Sequence, residues 1–416
     1  HASYHLKHNA PLTSDLDGLA KSSSDWVKRV SSPEQITQCA NDAWKAANES
    51  PGNIATLVVP ADYAWSDIQS DLPKKVELNN RKSVDNKLIE VAYKRLLKPN
   101  SMLYLGGKFL DEECLKFAAQ IATKTGCRLV TDTFVSRIRR GAGLPIVQQV
   151  PYFSEMAEDF LQGTESIVFI GTKPPVSFFA YPDKKSFLSP DEAELFELCS
   201  VEENGYEALA LLSELSGSPK IANELIRPYI ADVPTSGDLD VTTLGPLIAD
   251  IMPEESIVSD ESATSSLIVT PHALQAKPHD WLALTGGSIG QGLPLAIGAS
   301  IAKPDRPVIT LHGDGGAMYT VQALWTQARE NLNITNIIFS NRSYEILKIE
   351  LDRVQAVETG ERAASMFSMD NPPIDWVNLA ESMGVQGYKP KTVKEFKDVF
   401  SKSVNESGPS LIEIEI

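Results

Sequence analysis

The chain has few cysteines, and they are scattered. Four occur in 416 residues, at Cys39, Cys114, Cys127 and Cys199, with neither a Cys-x-x-Cys pair nor the spacing of metal ligands. Isolated thiols of this kind are typical of a reducing compartment, whereas small secreted proteins depend on paired cysteines. We therefore expect a cytoplasmic protein without a disulfide framework.

Basic residues are also in short supply. Lys and Arg total 38 against 55 Asp and Glu, which gives a formal net charge of −17. A surface this acidic argues against a nucleic acid or an anionic membrane as partner, since both carry negative charge. No run of about 20 apolar residues, the length needed to span a bilayer, occurs in the sequence, and we expect neither a transmembrane segment nor a signal peptide. The composition, 42% hydrophobic and 22% charged, is that of a globular protein.

Helical and extended patterns alternate along most of the chain. Strands that alternate with helices predict an α/β fold with parallel sheets covered by helices on both faces, of the doubly wound type. The start, His1-Ala-Ser-Tyr-His5, carries no signal for a helix or a strand and reads as the middle of a longer protein. The pattern predicts five segments: a small αβ unit at 1–65, a linker at 66–83, a central α/β domain at 84–213, a second linker at 214–239, and a last domain at 240–416.

The last domain has the most apolar strands. They are predicted at Ser256–Ser259, Arg306–Leu311, Thr335–Phe339 and Ser410–Ile416. A polar loop follows each of the first three. Since ligands of open α/β sheets bind at the carboxyl ends of the strands, we expect these loops to meet at one crevice.

Two of these loops have the residue types of a site for metal-bound diphosphate. Asp314, within Gly313-Asp-Gly-Gly316, offers a carboxylate, while Asn341 and the backbone carbonyl of Ser343 offer neutral oxygens. Mg²⁺ prefers oxygen ligands and usually completes its shell with ligand phosphates. Glycine lets the backbone approach phosphate, and a helix predicted at Met318–Glu330 would direct free N–H groups at the anion. The competing interpretation is a plain Gly-Asp-Gly turn.

Two further loops add candidates. Asp260-Glu-Ser-Ala-Thr-Ser265 has hydroxyls that suit either a phosphate or a helix N-cap. Leu284-Thr-Gly-Gly-Ser-Ile-Gly-Gln-Gly292 surrounds one isolated isoleucine, Ile289, with four glycines, which indicates either a close backbone approach to a ligand or a tight helix–sheet contact. Gly290-Gln-Gly292 with Asp314 downstream also imitates a dinucleotide fingerprint.

Histidines and arginines near these loops are weaker candidates. His272, His279 and His312 are candidates for proton transfer only because of their position. Arg137, Arg139 and Arg140 form either an anion site or a solvated basic loop.

Together these motifs resemble the metal and diphosphate motif of thiamine diphosphate enzymes, and nearly the whole chain resembles the acetolactate synthase, benzoylformate decarboxylase and pyruvate decarboxylase group. The motif usually ends in Asn-Asn, and here Ser340 replaces the first of the two. The resemblance implies Mg²⁺ bound by Asp314, Asn341 and the Ser343 carbonyl. It also implies cofactor contacts from Ser262, Thr264, Gly287, Ile289, Gly313, Gly315, Gly316 and Ala317.

The resemblance also implies catalytic roles. Ile289 would be the apolar wedge that bends the cofactor, and the Gly287 carbonyl would accept a hydrogen bond from its 4′-amino group. His272 is a candidate for proton transfer, and Leu347, with Tyr344 and Glu345, is expected to face the acyl group of the substrate. The activating glutamate of the family lies early in the pyrimidine-binding domain, of which residues 1–65 resemble only the last third. We therefore expect that glutamate upstream of His1.

The implied function is decarboxylation or carboligation of a small 2-oxo acid by a homodimer or homotetramer of the acetolactate synthase type. Three alternatives stay open: a simple decarboxylase like benzoylformate decarboxylase, a cofactor-binding fragment without turnover, and a nicotinamide-dependent dehydrogenase. FAD, which some acetolactate synthases bind in the middle domain, is neither supported nor excluded by residues 84–213.

Overall fold

Alternating apolar strands and amphipathic helices give this chain its two compact units. A computed structural model describes residues 1–68, 76–230, 232–354 and 360–416. One unit combines residues 1–85 with 199–207, and the other combines 86–198 with 208–416. Residues 69–75 of the predicted linker 66–83 and residue 231 of the predicted linker 214–239 lie outside the described residues, and the five predicted segments remain a prediction.

The first unit is built on a pair of parallel strands. Trp26 lies opposite Ala55 in their register. One strand precedes the long helix of this unit and the second strand follows it. The elements are α1 (Leu16–Lys21), β1 (Trp26–Arg29), α2 (Ile36–Asn48), β2 (Ala55–Val58) and α3 (Ala61–Ala64).

The central part of the chain forms a five-stranded sheet in the order β6-β4-β3-β7-β8. Two of its three interior strands, β3 and β7, are buried along their whole length, and after an initial serine each is apolar, as is typical of strands covered on both faces. The elements of this part are α4 (Asn86–Leu96), β3 (Ser101–Leu105), α5 (Glu112–Thr125), β4 (Arg128–Thr131), β5 (Ile138–Arg140), β6 (Gln148–Gln149), α6 (Ser154–Leu161), β7 (Ser166–Ile170), β8 (Glu194–Cys199) and α7 (Gly205–Leu215).

The C-terminal part forms a seven-stranded sheet in the order β13-β14-β12-β11-β9-β10-β5. Six strands are parallel, and β5, from the central part of the chain, is antiparallel at one edge. The strands are β9 (Ile257–Glu261), β10 (His279–Leu282), β11 (Val308–Gly313), β12 (Ile334–Ser340), β13 (Gln386–Tyr388) and β14 (Ser410–Glu415).

Helices cover both faces of this sheet, which confirms the predicted α/β class. Leu293, Leu324 and Trp376 pack with Ile338 and Leu411 on one face. On the other, the helix Val393–Asn405 contacts β12, β14 and the helix Val241–Ile251. The helices are α8 (Val241–Ile251), α9 (Ser266–Ala273), α10 (Gly292–Ala302), α11 (Asp314–Ala317), α12 (Ala323–Arg329), α13 (Glu345–Arg353), α14 (Glu361–Ser365), α15 (Trp376–Ser382) and α16 (Val393–Asn405).

One predicted helix is wrong. The sequence predicts a single helix over Met318–Glu330, but the structure has the four-residue α11 directly after β11 and then α12 from Ala323. The polypeptide turns between them, where Thr320 donates its hydroxyl to the Gly290 carbonyl at 2.6 Å. A tertiary hydrogen bond to a distant loop therefore takes precedence over local helical periodicity here. Among the described residues, the helices are too short or too polar to cross a bilayer.

The β5–β10 edge contains a histidine that the fold keeps neutral. The Nδ1 atom of His279 lies 2.7 Å from the Lys277 carbonyl, and Arg140 donates its Nε–H to Nε2 at 3.5 Å. This pairing requires an Nδ1–H tautomer with an unprotonated Nε2. Burial, assisted by the positive charge of Arg140, lowers the pKa of His279 to about 3.

We therefore expect acid to destabilise the protein through His279. Since the pKa of this imidazole is lower in the folded than in the unfolded chain, its contribution is present above the ordinary pKa of 6.5 and is lost as the pH falls. Between pH 7 and pH 5 the loss is about 2 kcal/mol. Urea unfolding of wild type and His279→Gln at both pH values measures it. An equal pH dependence in the two proteins would contradict a neutral, buried His279.

Candidate cofactor and metal site

Three parallel strands end together and bring the predicted loops to one edge of the large sheet. In the register of β9 and β11, His312 lies opposite Glu261, and in that of β11 and β12, Gly313 lies opposite Phe339. The loops that follow β9, β11 and β12 therefore begin side by side. The predicted loops thus meet at the carboxyl ends of the strands, and a ligand-binding crevice there remains a prediction.

Asp314 lies at the centre of this edge and is buried, with 3% of its surface exposed. Its Oδ1 accepts the Gly315 N–H at 2.8 Å, and its Oδ2 accepts the Arg342 N–H at 2.7 Å. The second bond joins the loop after β11 directly to the loop after β12. Burial raises the pKa of the Asp314 carboxyl, and the two backbone N–H groups offset this only in part.

The loop after β12 has a fixed backbone. The Asn341 side-chain carbonyl accepts the Ser343 N–H at 2.9 Å, and Arg342 adopts a left-handed conformation with φ of 53°. Two backbone hydrogen bonds, from Met369 to Arg342 and from Tyr344 to Phe367, brace the segment that includes Ser343. All three predicted metal ligands therefore lie in two loops that are hydrogen-bonded to each other.

The chemistry of these groups fits a hard divalent cation. Asp314 is a buried carboxylate whose hydrogen-bond donors are neutral backbone groups, so a cation beside it would stabilise its ionised form. In the described parts of the chain, no group of three or more His, Cys, Asp or Glu side chains could hold a metal. One carboxylate with amide and backbone oxygens is a donor set of the kind that Mg²⁺ completes with phosphate and water.

The glycines of this loop have a packing role that the sequence alone does not reveal. A Cβ on Gly315 would lie 2.7 Å from the Tyr344 ring, and one on Gly316 would lie 2.7 Å from the Glu261 carboxylate. Both positions need glycine for close contact with protein groups, whatever ligand binds. The sequence predicts a long helix whose N-terminal N–H groups point at a phosphate. The structure has the short α11 in that place, and it contains Gly315, Gly316 and the buried Ala317.

The loop after β9 is held by hydrogen bonds to Asp260, the penultimate residue of that strand. Its Oδ1 accepts both the N–H and the hydroxyl of Ser262, and its Oδ2 accepts the Ser266 hydroxyl at 3.0 Å. Thr264 lies in the one-turn 3₁₀ helix Ala263–Ser265 that follows. The Ser262 hydroxyl is thus used within the loop, and phosphate contacts from Ser262 and Thr264 remain a prediction.

The glycine loop between β10 and α10 presents Ile289 to the solvent, with half of its surface exposed. Gly286, Gly287 and Gly290 all have left-handed φ values, of 65°, 64° and 94°, which explains the choice of glycine there. A Cβ on Gly287 would also lie 2.9 Å from the ring of Phe178, a residue of the loop after β7. An exposed isoleucine on a constrained loop is consistent with an apolar group that contacts a ligand.

Glu261, the last residue of β9, is a buried site residue that sequence reasoning missed. Its Oε1 accepts the Gly290 N–H at 2.5 Å, its Oε2 accepts the Gly292 N–H at 2.7 Å, and His312 Nε2 lies 3.2 Å from Oε2. The last contact has ion-pair distance but not hydrogen-bond alignment. Burial acts to raise the pKa of Glu261, but these donors hold it below its ordinary value. The available signal was the pair of acidic residues, Asp260 and Glu261, that ends a strand whose five residues are all buried.

The other predicted residues lie in separate surroundings. His272 is in the last turn of α9, where its ring packs against Gly245 of α8, so its proton-transfer role remains a prediction. Leu347 lies in α13, directly after the metal loop, and is 47% exposed. Tyr344 and Glu345 flank the start of the same helix.

The three arginines have structural partners. Arg137 donates to Asp280 at 2.8 Å, and Arg139 pairs with Glu255. Arg140 is buried, with its guanidinium 3.6 Å from the centre of the Trp281 ring. The Arg137 side chain is nevertheless 63% exposed, and the two terminal nitrogens of Arg140 are buried without a hydrogen-bond partner. A role of this loop in anion binding remains a prediction.

The dinucleotide interpretation is not supported. A dinucleotide fingerprint needs a strand that runs directly into the glycines. Here β10 ends at Leu282, and residues 283–289 separate it from Gly290. Asp314 begins α11 and bonds to backbone N–H groups of its own and the neighbouring loop.

A curated protein matches along the whole chain. The chain is 39% identical over 423 aligned positions to a Mycobacterium tuberculosis protein named "Putative acetolactate synthase large subunit IlvX", which covers all of this chain and 79% of that protein. A family model described as "Thiamine pyrophosphate enzyme, C-terminal TPP binding domain" matches residues 263–414.

Two further matches are more distant. A benzoylformate decarboxylase of Pseudomonas aeruginosa is 26% identical over 205 residues, which is 49% of this chain and 38% of that protein. A solved structure of a Rhodococcus jostii thiamine diphosphate-dependent 4-hydroxybenzoylformate decarboxylase superposes with a TM-score of 0.81. It covers all of this chain and 80% of that one at 23% identity, so this match shows the fold alone.

Two glycine substitutions test the packing of the site. Gly316→Ala should lower the free energy of unfolding by roughly 1–3 kcal/mol, because its Cβ would press on the buried Glu261 and His312. Gly298→Ala, inside α10 with open space at its Cβ, should raise it by roughly 0.5–1 kcal/mol. Urea unfolding measures both, and a harmless Gly316→Ala would contradict the described packing.

Proposed function

The chain belongs to the family of thiamine diphosphate-dependent enzymes that includes acetolactate synthases and benzoylformate decarboxylases, and we propose that it binds thiamine diphosphate with Mg²⁺ and acts on a 2-oxo acid. The observation that carries this proposal is the buried Asp314 carboxylate. It lies at the end of β11, is bonded to the backbone of the Asn341 loop, and has only neutral N–H groups as hydrogen-bond donors.

Asp314, Asn341 and the Ser343 carbonyl would hold Mg²⁺, and the backbone around Gly315 and Gly316 would lie beside the diphosphate. When bound, thiamine diphosphate supplies a nucleophilic carbon for the 2-oxo group and an electron sink for decarboxylation. At this end of the site the protein would bind the metal ion that neutralises the diphosphate charge and would hold the diphosphate in place. Asp314 suits that role because the Arg342 backbone N–H already joins its loop to the Asn341 loop without a ligand.

The glycine loop would position the reactive half of the cofactor. Gly287 and Ile289 lie on a segment that is fixed at Gly290 from two sides, by Glu261 at its N–H and by Thr320 at its carbonyl. The proposal gives Ile289 an apolar contact that favours the bent cofactor and gives the Gly287 carbonyl a hydrogen bond from the 4′-amino group. The 50% exposure of Ile289 supports this role, because a side chain that served only the core would be buried.

For the reaction, we favour carboligation of the acetolactate synthase type. The support is the long match to a relative whose name states that activity. A simple decarboxylase is the second candidate, supported by the partial match to a benzoylformate decarboxylase. Incubation with thiamine diphosphate, Mg²⁺ and pyruvate or benzoylformate distinguishes the two. Acetolactate from pyruvate supports the first, whereas CO₂ with free aldehyde from benzoylformate supports the second.

Metal-dependent cofactor binding should depend on Asp314. Asp314→Ala removes the one carboxylate of the predicted Mg²⁺ shell, so the Kd for thiamine diphosphate in Mg²⁺ should rise at least about tenfold, or about 1.4 kcal/mol. Isothermal titration calorimetry with and without Mg²⁺ measures this directly. Asp305→Ala, at an exposed acid in the same part of the chain, is the control and should bind like wild type. Equal affinity of Asp314→Ala and wild type would contradict the assignment.

Leu347 should influence which 2-oxo acid is accepted. The helix on which it lies is anchored toward its C-terminal end, since Tyr152 and Tyr181 donate to Glu350 at 3.2 and 2.7 Å and Arg353 pairs with Glu155. Leu347→Ala should therefore enlarge the proposed substrate-binding space beside this side chain without moving the helix. We expect kcat/KM for bulky 2-oxo acids to rise relative to pyruvate by roughly tenfold, the scale of a few methylene groups. An unchanged ratio across small and aromatic substrates would count against a substrate-facing Leu347.

A further inference from the structure

Glu261 is a buried acid that has no role in the proposed binding of cofactor, metal or substrate. It contacts three segments that are far apart in sequence: the glycine loop through Gly290 and Gly292, strand β11 through His312, and α11 through Gly316. Only 3% of its surface is exposed. A buried carboxylate is costly unless its oxygens are hydrogen-bonded. Here each oxygen accepts one N–H from the glycine loop.

The fit around this carboxylate is tight. A Cβ on Gly292 would lie 2.8 Å from His312 Cδ2 and 3.2 Å from Glu261 Cβ, and a Cβ on Gly316 would lie 2.7 Å from Glu261 Oε1. The glycine loop therefore lies directly on the Glu261–His312 pair. Since Gly290 and Gly292 flank one residue only, the two bonds to Glu261 determine the path of the backbone immediately after Ile289.

We propose that Glu261 is a positioning residue that holds the glycine loop, and with it Ile289 and Gly287, in the conformation that receives the pyrimidine half of the cofactor. This inference rests on the proposed function, because it concerns the same site. Glu261 itself touches neither cofactor nor substrate in this account. It acts through the two glycine N–H groups that it accepts.

The side-chain chemistry makes the proposal specific. Glutamine has the same length, but one of its two terminal groups is an NH₂ donor, which would face a backbone N–H instead of accepting from it. Glu261→Gln therefore breaks one of the two bonds while it keeps the volume. Thr320→Val weakens the same loop from the other side, because it removes the hydroxyl that donates to the Gly290 carbonyl. Glu413→Gln is the matched control, since Glu413 is a buried acid of the same sheet, on β14, with Lys389 as its partner.

Two measurements on the full chain test the inference. Hydrogen exchange of the cofactor-free protein, followed by mass spectrometry, reports the opening of residues 286–292. We expect exchange there to be at least roughly tenfold faster in Glu261→Gln, faster to a smaller extent in Thr320→Val, and unchanged in Glu413→Gln. Calorimetric titration with thiamine diphosphate and Mg²⁺ should then show roughly 10- to 100-fold weaker binding in Glu261→Gln, the scale for a group that supports a binding shell.

A double substitution distinguishes positioning from general stability. If Glu261 acts through Ile289, then Ile289→Ala should lose affinity in wild type but little more in Glu261→Gln, so that the two effects are not additive. Additive losses, or equal exchange of residues 286–292 in wild type, Glu261→Gln and Thr320→Val, would overturn the inference. Failure of the wild-type protein to bind thiamine diphosphate would instead overturn the proposed function, and the exchange measurement would still decide the role of Glu261 in the loop.

Discussion

The parallel register of β9, β11 and β12 is the constraint on which the site depends. Because these strands run in the same direction and are hydrogen-bonded neighbours, their last residues lie side by side. Glu261, Asp314 and Asn341, which are separated by 53 and 27 positions in the sequence, thereby come to one edge of one sheet. The hydrogen bond from the Arg342 backbone to Asp314 is a direct consequence of this register.

Two buried carboxylates at that edge have opposite surroundings. Glu261 has N–H donors and a histidine around it, which lower its pKa, whereas Asp314 has two backbone N–H groups and a pKa raised by burial. The oxygens of Glu261 are hydrogen-bonded to the glycine loop, which is the basis for its proposed positioning role. A cation beside Asp314 would stabilise its ionised form, which is the basis for its proposed role as a metal ligand.

Sequence reasoning placed the candidate ligand-binding residues in loops that the structure brings to one edge of the large sheet, because strand ends and glycine loops have local signals. The apolar runs at β9, β11, β12 and β14 and the loops with Asp314 and Asn341 needed no tertiary information. Glu261 was missed because its role arises from contacts with Gly290 and His312, which become neighbours only in the folded sheet. The break between α11 and α12 was missed for the same reason, since the Thr320 bond that accompanies it reaches a distant loop.

The most direct test of this account is the position of the metal. Crystals grown with thiamine diphosphate and Mn²⁺ in place of Mg²⁺ would show the ion by anomalous diffraction. The account predicts one strong peak bonded to an Asp314 carboxylate oxygen and the Asn341 side-chain carbonyl, with diphosphate oxygens completing the shell. A peak elsewhere, or cofactor density without metal at Asp314, would contradict it.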